Sequence, residues 1–191
     1  MRAFWLAGMA LALASGAQAG ELAELDCMAK SYTTDQSREI DRLLPAVDML
    51  AAGENPEMNA LGMLVGSAAM ECASSFEWDD AEFEPAVFFE LGRLMEQAVR
   101  RHGPLPREDV ARIDQALAKG DRAALWRALE EQVALGVAGQ PDSISNANAM
   151  VLGAFMLEIG AGLDEAKGEQ VGVLLATMAM QRSSRRAFAG Q

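Results

Sequence analysis

The chain has 191 residues, with 28 acidic against 16 basic side chains and a formal net charge of −12. A negative field of that size repels nucleic-acid phosphates and anionic lipid, which excludes both as principal ligands. The length suits one domain with a real hydrophobic core.

Residues 1–19 have the three-part layout of a signal peptide. Arg2 gives a positive start, Ala3 to Ala14 form an apolar run, and Ala17-Gln18-Ala19 place small residues at −3 and −1 of a cut. The run is shorter than the roughly 20 apolar residues of a membrane span. Cleavage after Ala19 is therefore expected, leaving residues 20–191 as a single helical domain with no integral membrane segment. A lipidation cysteine would follow the apolar run directly, whereas Cys27 comes after Glu21, Glu24 and Asp26. The chain has no Asn-x-Ser/Thr acceptor, which favours the periplasm over eukaryotic secretion as the destination. The leader holds one basic and no acidic residue, so its removal makes the remainder more acidic still.

Cys27 and Cys72 are the only cysteines. An even count in an oxidising compartment predicts one disulfide, which would stabilise by roughly 3–4 kcal/mol in the chain-entropy account. The Cys-x-x-Cys spacing of a redox pair is absent.

The first predicted helix starts at a Thr33/Gln36 capping box and carries the stripe Ile40, Leu43, Leu44, Val47 and Leu50. Pro45 should kink it or split it in two. Asn55-Pro56 reads as cap and first turn of a second helix, which carries Leu61, Met63, Leu64, Val65, Ala68 and Cys72. Its Gly62-x-x-x-Gly66 spacing suggests a close approach to another helix.

A cluster of acids, Glu77 to Glu82, lacks the ligand pattern of a calcium loop and complements the start of a third helix. Phe83, Val87, Leu91, Leu94 and Ala98 form its apolar face. Pro85 suggests that regular helix begins only there. Phe89 falls on the polar side, beside Glu82, Arg93 and Glu96, as the candidate exposed contact. His102-Gly103-Pro104-Leu105-Pro106 ends the helix.

Beyond this break come a helix with Val110, Ile113 and Leu117, and one capped by Asp121 with the stripe Leu125, Trp126, Leu129, Val133 and Val137. A strongly apolar helix from Ser145 to Gly160 is expected at the centre of the bundle. The last helix, Asp164 to Arg182, should bury Val171, Leu174, Leu175 and Met178, with fraying beyond Ser183. No strand-type alternation occurs. The fold class is all-α, an irregular bundle of about seven helices. Residues 38–44 resemble 111–117, and 59–64 echo 148–153, around the break at 103–106. This weak duplication needs insertions, lacks counterparts for both cysteines and falls short of a fixed-period repeat.

Motifs for chemistry are missing. The sole histidine, His102, stands at a helix C-terminus beside Arg100 and Arg101, where the helix dipole favours a cation. No zinc ligand set, nucleophile elbow or phosphate-cradling loop is present, so no catalytic, cofactor-binding or metal residue is assigned. Met178 and Met180 point about 200° apart on a helix and do not chelate one ion together. The sequence thus points first to a non-enzymatic exported protein acting through contacts with an envelope partner. The alternative is a carrier of a small apolar ligand lined by Phe76, Trp78, Phe83 and Phe88. An acid–base enzyme using paired carboxylates ranks third.

Overall fold

The computed structural model describes residues 20–49, 55–140, 143–162 and 164–190. The expected leader, residues 1–19, lies outside them, as does Leu50. Among the described residues the fold is all-helical, without strands. Eight α-helices run in order: α1 Asp26–Lys30, α2 Thr34–Leu43, α3 Pro56–Phe76, α4 Asp80–His102, α5 Arg107–Leu117, α6 Ala123–Val137, α7 Asn146–Glu158 and α8 Glu165–Phe188. The helix beyond the expected seven is α1, a short piece entered through a 3₁₀ turn at Leu22–Leu25. None of these helices is long and apolar enough to cross a membrane.

Side chains close the helix starts as the sequence suggests. The Thr33 hydroxyl accepts from Gln36 N–H while the Gln36 side chain accepts from Thr33 N–H. Asn55 accepts from Met58 N–H, with Pro56 in the first turn. Before Pro45 the helix stops at Leu43, and a 3₁₀ turn over Leu44–Ala46 takes its place. Pro85 behaves differently. Helix α4 already begins at Asp80, because Asp79 and Glu82 form a capping box that holds the first turn, and the helix passes through the proline. The lost Pro85 N–H leaves one gap in the hydrogen-bond ladder without breaking it.

Helices α4 and α8 pack along each other more extensively than any other pair. They run antiparallel: Phe89 lies under Arg185, Gly92 meets Thr177 and Gln181, and Arg100 reaches Met178. At Gly92 the approach is closest. A Cβ there would stand 3.0 Å from the Thr177 carbonyl oxygen and 3.0 Å from Gln181 Cγ. Gly62 and Gly66, by contrast, have nothing within 4 Å of such a position, so the expected close approach lies on a different helix.

Two clusters of buried apolar side chains flank this pair. One gathers Leu25, Met28, Leu43, Leu61, Val65, Cys72 and Leu94 from α1–α4, closed by Phe188. The other gathers Val99, Ile113, Leu125, Leu129, Phe155, Val171 and Leu174 from the end of α4 and from α5–α8. Phe188 is 1 % exposed, packed edge-on against Trp78, so α8 stays ordered well past Ser183 instead of fraying. Helix α7 is not central either. Only Phe155 within it is buried; Val151, Leu152 and Met156 are partly covered where it packs on α6, and the opposite face is left to solvent.

The disulfide joins Cys27 of α1 to Cys72 of α3, with Cα atoms 5.9 Å apart and 45 residues of separation. Helix α1 has only five residues, too few to hold itself by its own hydrogen bonds. Cys72→Ser should therefore lower the unfolding free energy by roughly 3–4 kcal/mol in urea titrations, and reductant should reproduce that loss in the wild type. Equal midpoints with and without reductant would contradict it. Gly92→Val should cost about 1–3 kcal/mol by overpacking the α4–α8 contact. Gly66→Ala, with open space around it, should instead gain about 0.5–1 kcal/mol from helix propensity. The opposite signs of the two glycine changes are the diagnostic.

Candidate functional site

The four residues expected to line an apolar pocket do not enclose one groove together: Phe76 and Trp78 stack, and Phe88 lies apart from them. Phe76 stacks on Trp78 with ring centroids 6.0 Å apart, and the Trp78 indole N–H donates to Glu24 at 2.7 Å. Phe83 packs into the first core cluster. Phe88 borders a separate shallow groove with Pro85, Ser183 and Ala187. Trp78 joins the 3₁₀ turn at Glu24 to Phe76 at the end of α3 and to Phe188 at the end of α8.

An apolar groove of about 450 Å³ lies elsewhere, between α6, α7 and α8. Leu129, Val133 and Val137 line it from α6, Leu152 and Met156 from α7, and Leu175, Ala176 and Met180 from α8. Beside it, α7 turns a second apolar surface outward. Ala147, Met150, Gly153, Ala154 and Leu157 share one helical stripe, and all are exposed. Met150 is 71 % and Leu157 68 % exposed, with Val137 of α6 at 67 %. No charged residue interrupts that stripe. The signal was in the sequence: α7 is apolar around most of its circumference, so one side had to remain uncovered once it packed on a single neighbour.

Phe89 stands in a different groove, of about 460 Å³, between α4, α6 and α8. It is half-buried, and the Arg185 guanidinium covers its ring at 5.9 Å. Arg182 lies over Trp126 at 5.3 Å. Arg182 and Arg186 both pair with Glu130, and Arg100 holds Glu96 at 2.6 Å. Arg185 has no carboxylate partner among the described residues. Helix α8 supplies all three arginines because 182, 185 and 186 share one face at i, i+3 and i+4. The sequence displays that spacing, but not the aromatic rings beneath it.

The least exposed carboxylates serve structure. Asp109 takes Arg112 at 3.0 Å and Lys167 at 2.9 Å, joining α5 to α8. Glu90 is 0 % exposed and receives both Arg93 Nε and Nη2, at 2.7 and 2.6 Å. Glu82, on the side of α4 read as polar, is buried as well, because both α3 and α8 cover this helix. His102 is exposed at the end of α4. Among the described residues no group of three or more His, Cys, Asp or Glu side chains is placed to hold a metal ion.

Tyr32, the sole tyrosine, is half-buried beside Glu90. Burial first, and then the Glu90 charge, push its hydroxyl far above the ordinary phenol value of 10.0. The folded chain therefore keeps Tyr32 neutral where the unfolded chain ionises it. Its contribution to stability is complete below about pH 10 and is lost as pH rises above that. Tyrosinate absorbance should appear only as the protein unfolds. Tyr32→Phe should flatten the alkaline fall in stability relative to wild type, and parallel curves would refute the assignment.

Compared with known proteins, the chain matches no family model, no curated protein and no solved structure.

Proposed function

We propose that this is a non-enzymatic helical protein, exported to the periplasm, that acts through contacts with another protein of the envelope. The observation that carries the reading is the outward stripe of α7. A stripe of Ala147, Met150, Gly153, Ala154 and Leu157, all exposed, is more apolar surface than a free helix face usually leaves in water. Small residues between the two large ones would let a partner helix or loop approach the backbone closely.

Export is supported by the disulfide, which oxidising compartments sustain. It is also supported by the place of Gly20. Its backbone nitrogen donates to the Phe188 carbonyl at 3.1 Å, at the C-terminal end of α8. Cleavage after Ala19 would make that nitrogen an ammonium, which the partial negative charge of a helix C-terminus favours. A Cβ on Gly20 would stand 2.3 Å from the Phe188 ring, so glycine suits the position that follows the cut.

A second reading is a carrier of a small apolar ligand, favoured by the groove between α6, α7 and α8. Its volume of about 450 Å³ falls in the range that such ligands occupy. The two readings separate experimentally. A photo-crosslinking residue at Leu157 should yield a discrete heterologous adduct in the envelope, whereas one at exposed Glu108 on α5 should not. Equal yields at both positions would defeat the contact reading. Native mass spectrometry of the purified protein with a stoichiometric apolar adduct would establish the carrier instead.

A further inference from the structure

We propose that the groove between α4, α6 and α8 binds a small amphipathic anion, a carboxylate or sulfonate carried on a flat apolar body. Charge points to this occupant. In a chain with net charge −12, three arginines within five residues converge on one groove. The one carboxylate that lines it, Glu96, is already engaged by Arg100 and Gln181, and Glu130, outside the lining, takes Arg182 and Arg186. Arg185 alone keeps its donors free of any carboxylate among the described residues.

The apolar half of the site is equally defined. Phe89 and Trp126 are half-buried rings, and Leu22 and Met178 also line the groove. Arg185 lies over Phe89, which places its planar fork at the edge of an aromatic surface. An anion that takes two parallel N–H donors from Arg185 would lay its apolar body along Phe89 and Trp126. The volume of about 460 Å³ suits a ligand of one or two fused rings and is small for a folded segment. This site is separate from the α7 stripe, and either can be wrong without the other.

The test is a fluorescence titration of the mature, oxidised protein with 8-anilinonaphthalene-1-sulfonate, using uncharged N-phenyl-1-naphthylamine for comparison. Saturable binding of one anionic dye per chain is expected, competed by 1-naphthoate but not by 1-naphthalenemethanol. Arg185→Gln removes a charge-assisted pair and should weaken the anionic dye by about tenfold or more, leaving the neutral dye unchanged. Phe89→Ala should also weaken it. Gly172→Leu projects a side chain into the separate apolar groove and should affect only the neutral dye. The proposal is overturned if the wild type shows no saturable anionic binding, if Arg185→Gln binds like wild type, or if the loss follows Gly172→Leu. Since Arg185 is exposed and unpaired, its replacement should leave the melting temperature unchanged, which guards against unfolding as the cause.

Discussion

The antiparallel seam between α4 and α8, closed at Gly92, governs the rest of the molecule. With a Cβ position only 3.0 Å from the Thr177 carbonyl, backbone meets backbone there, and neither helix can slide without a clash. Fixing that point fixes the register of residues along the seam. Towards one end it lays Arg185 over Phe89 and brings Phe188 to Trp78. Towards the other it sets Gln181 on Glu96 and Arg100 against Met178. Both core clusters are built on this pair, because α4 contributes to each and α8 closes the first with Phe188 while filling the second with Val171, Leu174 and Leu175.

Around that seam the remaining ties differ greatly in worth. Exposed pairs such as Arg38–Asp35 stabilise by at most about 1 kcal/mol. The covalent tie of α1 to α3 contributes several times more, and it holds a helix of only five residues. Glu90 and Arg93 are another matter. Their pairing offsets the cost of a buried charge and adds little net stability, but losing one partner would strand the other, at a cost of about 3–5 kcal/mol. Arg122 links three helices, donating to the Ala116 carbonyl of α5 and to Glu158 of α7 from the start of α6. It does for the peripheral helix what the seam does for the centre.

Helix positions and caps were legible in the sequence because their causes are local. The Thr33/Gln36 box, the Asn55-Pro56 start and the His102–Pro106 break each depend on a few neighbouring residues. Which face meets which helix was not legible. Periodicity gives the phase of a stripe within one helix, yet carries no information on the number of neighbours. Hence α7, the most apolar helix, proved peripheral, and Glu82, on the side of α4 read as polar, proved buried. The same gap explains the glycines. Gly62 and Gly66 have the spacing of a contact motif and leave open space at the Cβ position, whereas Gly92, with no motif, sits where two helices meet closely. Of the candidate groove, Phe89 was singled out in isolation. Its partner Arg185 lies on another helix, and only the α4–α8 register joins them.

Net acidity and a cationic groove are compatible because the two act over different distances. At physiological ionic strength the field of exposed carboxylates decays over about 8 Å, so the distributed negative charge weakly opposes an approaching anion and keeps copies of the chain apart. Inside the groove the nearest charges decide. There, Arg185 is close, partly desolvated on its Phe89 face and uncompensated by a carboxylate among the described residues. The engaged states of Glu96 and Glu130 matter as much as the arginines themselves. Were either carboxylate free, it would take Arg185 or repel the ligand; held by Arg100 on one side and by Arg182 and Arg186 on the other, they leave a single open cation at the mouth of an aromatic surface.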